Sequence, residues 1–144
     1  MRKRIVLALI GLIGIGLLLF IFFPRPLLSL AFSSAPEIEE VALLRLEGSE
    51  QQETVLKGEA LSAMLKAAES TYLFRNPIRV DYVNNGPDFV GCFLIARYGS
   101  AQEEIKTVYL FTRNILSVDG VQYRFFGDGF AETLLALIEQ ARGQ

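Results

Sequence analysis

Ile115–Phe125 reads ILSVDGVQYRF, and the reading of this stretch decides the fold. Asp119-Gly120 stands between two alternating runs, the pattern of a two-residue hairpin whose central residues take positive φ. That register places Val118 opposite Val121 and Leu116 opposite Tyr123. Leu116, Val118, Val121, Tyr123 and Phe125 then share one face, while Ser117, Gln122 and Arg124 share the other. One face is expected to pack and the other to meet water, as in an antiparallel sheet covered on one side.

The same logic extends outward. Upstream, Asp88–Tyr98 is apolar on both faces and reads as a central strand. Gly99–Gln102 turns the chain and Glu103–Thr112 runs back. Pro77–Asn84 alternates, with Ile78, Val80 and Tyr82 opposed to Arg79, Asp81 and Val83, and Asn84–Pro87 supplies turn residues. Earlier still, Ile38–Leu46 and Thr54–Lys57 make a hairpin around a polar turn, Glu47–Gln52. Between these strands, GEALSAMLKAAES places Leu61, Met64, Leu65 and Ala68 on one helical face, with Glu59 in the first turn where the helix dipole favours it. Downstream, Gly127-Asp128-Gly129 opens a closing helix with Asp128 or Gly129 as N-cap. Phe130, Leu134, Leu137, Ile138 and Ala141 line one side of it. Strands linked by hairpins, with few helices, predict an α+β fold: a mainly antiparallel sheet with two helices packed on one face.

The N-terminus follows different rules. Ile5–Phe23, IVLALIGLIGIGLLLFIFF, holds nineteen residues with no charged or polar side chain, directly after Met1-Arg2-Lys3-Arg4. At about 1.5 Å per residue this helix spans roughly 28 Å, near the thickness of a bilayer's hydrocarbon. Pro24 and Pro26 end it. Arg2, Lys3 and Arg4 before the span, against Arg25 alone after it, predict a cytoplasmic N-terminus and a domain outside. A removable signal peptide has a shorter apolar core and a cleavage site close behind. Here Ala31-Phe32-Ser33 lies well past the run, so an uncleaved anchor is the better reading. Gly11, Gly14 and Gly16 form no G-x-x-x-G pair, which leaves a plain tether rather than a dimerising helix. The expected organisation is a cytoplasmic tip and transmembrane anchor over 1–23, a stalk over 24–36 and an extracytoplasmic α+β domain over 37–144. In the stalk, Leu27, Leu28, Leu30 and Phe32 are placed along a membrane interface.

Charge separates along the chain. Residues 1–25 carry four basic groups and no acid, whereas the rest carries 10 Lys+Arg against 16 Asp+Glu, a formal −6. Such a domain is a poor partner for nucleic acid or anionic headgroups. Glu37, Glu39 and Glu40 read as a solvated strand start.

The sequence offers little chemistry. With no histidine, the usual general base and most zinc sites are gone. One cysteine, Cys92, allows no internal disulfide, and its apolar setting marks it as a buried small hydrophobe. No phosphate loop, nucleophile elbow or dinucleotide pattern is present. Asp81 and Asp88, around the Asn84–Pro87 turn, are the one carboxylate pair worth testing as a hydrolase. Tyr72, Phe74, Phe126 and Phe130 lie at element ends and are candidates for a contact patch, Phe126 above all because Phe125 points to the core. The expectation is a non-enzymatic module with no cofactor or metal. Its partners would be the bilayer through residues 5–23 and a protein or envelope component. An accessory subunit of a membrane complex is the alternative.

VLKGEALSAMLKAAES, a strand turning into a helix, ILSVDGVQYRFF, a hairpin with an aromatic exit, and AETLLALIEQ, a closing helix, together resemble small extracytoplasmic domains of Gram-positive bacteria, often carried on lipoproteins. The resemblance covers most of residues 38–140. It implies location and fold, and it supplies no active-site residues. This chain departs from it by having an apolar span in place of a lipidated cysteine.

Overall fold

Asp119 and Gly120 both take positive φ, 48° and 80°. Around them Val118 faces Val121 and Leu116 faces Tyr123, the register the sequence dictates. The computed structural model describes residues 2–32, 37–47, 50–77, 79, 89–98, 107–127 and 129–142. In chain order these form α1 (Arg2–Phe22), β1 (Arg25–Pro26), α2 (Leu27–Ala31), β2 (Ile38–Glu47), β3 (Glu50–Leu56) and α3 (Gly58–Glu69). There follow β4 (Tyr72–Arg75), β5 (Phe89–Tyr98), β6 (Val108–Thr112), β7 (Ile115–Val118), β8 (Val121–Phe125) and α4 (Gly129–Arg142). The strands join in one sheet, ordered β1-β4-β8-β7-β6-β5-β2-β3, with every described pairing antiparallel.

The chain enters the sheet at one edge, β1, and soon builds the other, β2–β3. Helix α3 returns it to β4 and packs against both α2 and α4. The covered face is a set of cross-strand rows. Leu43, Leu94, Val108, Val118 and Val121 form one; Cys92, Leu110, Leu116 and Tyr123 form another. Leu61, Met64 and Ala68 of α3 and Phe130, Leu134 and Ile138 of α4 join the same buried cluster. These are the positions that helical periodicity selects. Each large side chain withdrawn from water contributes about 1.5–3 kcal/mol. The expected fold, an apolar N-terminal helix before an antiparallel sheet with helices on one face, is the fold observed.

Several local expectations change. The stretch read as a stalk contains β1 and α2, and Leu27, Ala31 and Phe32 are core residues. Leu27 and Phe32 therefore do not lie along a membrane interface. Pro26 ends its helix-breaking role after one residue: it starts α2 in extended geometry (φ −60°, ψ 131°), and the Leu27 N–H donates to Thr71 O at 2.9 Å. Strand β3 begins at Glu50, so much of the expected polar turn is ladder. Strand β4 was not expected; four residues between a helix and Pro77 carry too short a pattern. Pro77 and Arg79 are not in a strand, and the rest of the Pro77–Asn84 reading lies outside the described residues, as does the start of the Glu103–Thr112 strand. Ala141 is exposed and Ala131 takes its place in the core. On the face expected to be wet, Ser117 and Gln122 are buried while Arg124 is exposed. Ser117 faces Tyr109 on one neighbour and Gln122 on the other. Tyr109 in turn packs its ring on Phe93 and Phe111 at 4.3 and 4.5 Å, which makes an aromatic cover for the sheet centre.

Gly91 allows the long central strand to bend. The β5–β6 register shifts between Phe89 and Cys92, and Gly91 there has φ +60°. A Cβ on it would meet Phe89 Cε1 at 2.5 Å and sit on a positive φ, so glycine is the favoured residue at this bulge.

Candidate functional site

Phe126 follows β8 and is 79% exposed, and its ring meets that of Phe74 of β4 at 5.3 Å between centroids. Tyr72, two residues from Phe74 and thus on the same side of β4, is 53% exposed. These three of the four expected contact residues come together at one end of the β4–β8 pair. Phe130 does not join them. It is 2% exposed and sits edge-on to Phe125 at 6.3 Å, because the α4 periodicity turns it into the core.

At the opposite end of the same strands lies a groove of about 500 Å³ lined by Arg75, Asn76, Pro77, Arg79, Gly120, Val121 and Gln122. The Asn76 N–H donates to Gln122 O at 2.9 Å, which carries the pairing one step past the end of β4 and fixes the groove wall. The Asn76 side-chain Nδ2 is buried with no hydrogen-bond partner among the described residues. Beside the groove, a smaller hollow of about 40 Å³ is lined by Phe20, Phe23, Arg25, Arg75 and Tyr123. The Arg25 guanidinium lies 5.7 Å from the centre of the Phe20 ring, within cation–π range. Arg75 lines both spaces and links the end of α1 to the groove. Spacing gave no access to this arrangement, because Arg75 and Gln122 lie far apart in the chain. The available signal was a pair of arginines flanking Asn76-Pro77 at the end of an element.

The distant edge carries charge of another kind. Glu40 accepts from Lys57 at 2.6 Å and from Arg97 at 2.7 Å, and Arg97 reaches Glu53 at 3.3 Å. Lys57 first, and Arg97 second, hold the Glu40 carboxyl below its usual range. Glu40, read as part of a solvated cluster, thus ties β2 to β5 and to the residue after β3. Its two basic partners, one of them shared with Glu53, leave it no free chemistry.

Cys92 is fully buried, and burial pushes its thiol up to about 12 against a small opposing pull from Arg45. It is a packed thiol rather than a nucleophile. Among the described residues no three His, Cys, Asp or Glu side chains form a metal-sized group. Asp81 and Asp88 lie outside the described residues. No known family model matches the chain, and neither a curated protein nor a solved structure is significantly similar to it.

Proposed function

We propose that this chain is a single-pass protein of the cell membrane, with its N-terminus in the cytoplasm and its α+β domain outside as a non-catalytic binding module. The observation that carries the proposal is the condition of α1. The window Lys3–Phe20 has mean hydropathy 2.2, and its large apolar side chains from Ile5 to Phe20 are 54% to 72% exposed. A face of that size without protein cover fits lipid. The basic residues before it favour the stated orientation. The domain beyond it has a closed core and an aromatic patch, exposed Tyr72 and Phe126 beside half-buried Phe74, suited to a protein or envelope partner.

The test has two parts. Protease protection on intact spheroplasts is expected to leave the N-terminal tag shielded and the C-terminal tag cleaved; the reverse pattern removes the orientation. A photo-crosslinker at Phe126 is expected to trap one reproducible partner that a crosslinker at exposed Glu69 does not.

A second reading has its own observation. An apolar hollow of about 290 Å³ along α1, lined by Ile15, Leu18, Leu19, Phe22, Phe23 and Pro24, suits a neighbouring membrane helix. In that case the chain is an accessory subunit of a membrane complex. Exchange of residues 1–23 for an unrelated anchor then abolishes function, whereas a tether tolerates it.

A further inference from the structure

We infer that the groove between the end of β4 and the start of β8 holds the phosphoryl group of a membrane phospholipid. This rests on α1 being a membrane span. Position is the first argument. Strand β1 runs antiparallel to β4, with Arg25 opposite Leu73 and Pro26 opposite Tyr72. Following β4 from Leu73 to Arg75 therefore leads back toward the end of α1. The hollow shared by Phe20, Phe23 and Arg75 shows the same closeness. Arg75 thus stands level with the last turn of the span, where hydrocarbon gives way to headgroups.

Chemistry is the second argument. Arg75 and Arg79 line the groove, both exposed, and no acidic side chain among the described residues pairs with either. A guanidinium presents a planar fork that suits phosphate oxygens. Asn76 also lines the groove, and its unpaired Nδ2, buried as it stands, becomes a further donor to a phosphate oxygen once the side-chain amide turns outward. The nearest described acid in sequence to the groove wall is Asp119, whose carboxylate accepts the Thr107 N–H at 3.1 Å. At about 500 Å³ the groove falls in the range of small-molecule sites.

Charge distribution is the third. The formal −6 of the chain beyond residue 25 argues against an anionic partner only if the charge is evenly spread. It is not. Arg97 and Lys57 are engaged by Glu40 and Glu53 on the β2–β3 side, while Arg25 on β1, Arg75 on β4 and Arg79 at the groove lie on the opposite side, with Arg124 of β8 on the sheet's other face. The arginine-bearing side is the one joined to the span.

The test uses the full chain in detergent, titrated with phosphatidylglycerol and read by native mass spectrometry. Wild type is expected to retain one phosphatidylglycerol about tenfold or more tightly than Arg75→Gln/Arg79→Gln, since losing charge-assisted hydrogen bonds costs at least that factor. Diacylglycerol of the same chain length is expected to bind both proteins equally and weakly. Equal retention of phosphatidylglycerol by the two proteins overturns the inference, and so does diacylglycerol binding as tightly as phosphatidylglycerol. Inorganic phosphate binding as tightly as the lipid overturns the assignment to a membrane source. Circular dichroism monitors folding. If the double variant does not fold, Asn76→Asp takes its place, with weaker lipid retention expected and unchanged retention overturning the inference. Carbonate extraction of membranes separates the two readings. Release of the chain into the supernatant removes the span itself. A chain that stays in the pellet while the variant holds lipid like wild type removes only the groove.

Discussion

Helices α1 and α4 are both rich in leucine, and they stand in opposite surroundings. Leu134 and Ile138 of α4 are buried against the sheet, while Leu12 of α1 is 72% exposed. The difference lies in pattern. In α4 the apolar residues recur every three to four positions and alternate with Glu132, Glu139 and Gln140, so one face packs and the other is solvated. In α1 every position from Ile5 to Phe22 is apolar, so no rotation of the helix hides it behind a domain of this size. The lesson is that apolar content locates neither helix; the period of the apolar residues does. Apolar throughout calls for a surrounding medium, and apolar on one side calls for a neighbour.

Substitutions test this contrast directly. The largest effect is expected from Leu134→Ala, which leaves a cavity under the sheet and lowers domain stability by about 2–5 kcal/mol. Leu12→Ala removes the same atoms from α1 and should leave the domain's urea midpoint within about 0.5 kcal/mol of wild type. A comparable loss from both would put α1 inside the fold. Leu27→Ala sharpens the boundary between the two regimes, because Leu27 follows the apolar run closely yet is fully buried. It should behave like Leu134, with a cost of about 2–5 kcal/mol by denaturant titration. Next comes Gly91→Ala, expected to cost about 1–3 kcal/mol through the strained φ and the contact with Phe89.

The surface predictions are smaller. Phe126→Ala should change stability by less than about 0.5 kcal/mol while lowering partner crosslinking, the opposite signature to Phe125→Ala. For Glu40 the folded carboxyl titrates below its unfolded value of 4.5. Its contribution is therefore present above that pH and fades as pH falls through the folded value. Glu40→Gln should lower the midpoint at pH 7, and the gap to wild type should close in acid. A gap that widens below pH 4 would show the assignment of sign to be wrong.

Hairpins and helix faces were legible in the sequence because their rules are local. Asp119-Gly120 sets a register within four residues, and Leu61, Met64 and Ala68 announce a face within eight. What escaped was set by distant partners. Strand β4 has four residues and exists because β8 and β1 flank it. Leu27 and Phe32 look like interfacial residues until they are seen buried in the core beneath the helices and sheet. Ser117 looks wet until Tyr109 lies beside it. Phe130 and Phe126 are near in sequence, and the start of α4 divides them between core and solvent. The groove combines Arg75, Asn76 and Arg79 with Gly120–Gln122, so its charge cannot be read from a window that averages over the acidic strands β2 and β3.

The short pairing of Arg25–Pro26 with Tyr72–Leu73 has a mechanical consequence. Only Phe23 and Pro24 separate α1 from the sheet, a tether of about 7 Å even when fully extended. A domain on so short a lead has almost no slack. On the proposed membrane placement it cannot sample the space above a bilayer as a module on a long flexible linker does, and a twist or tilt of the helix is passed on to the sheet it feeds. On that reading, the partner proposed for the aromatic patch meets the domain at the bilayer surface.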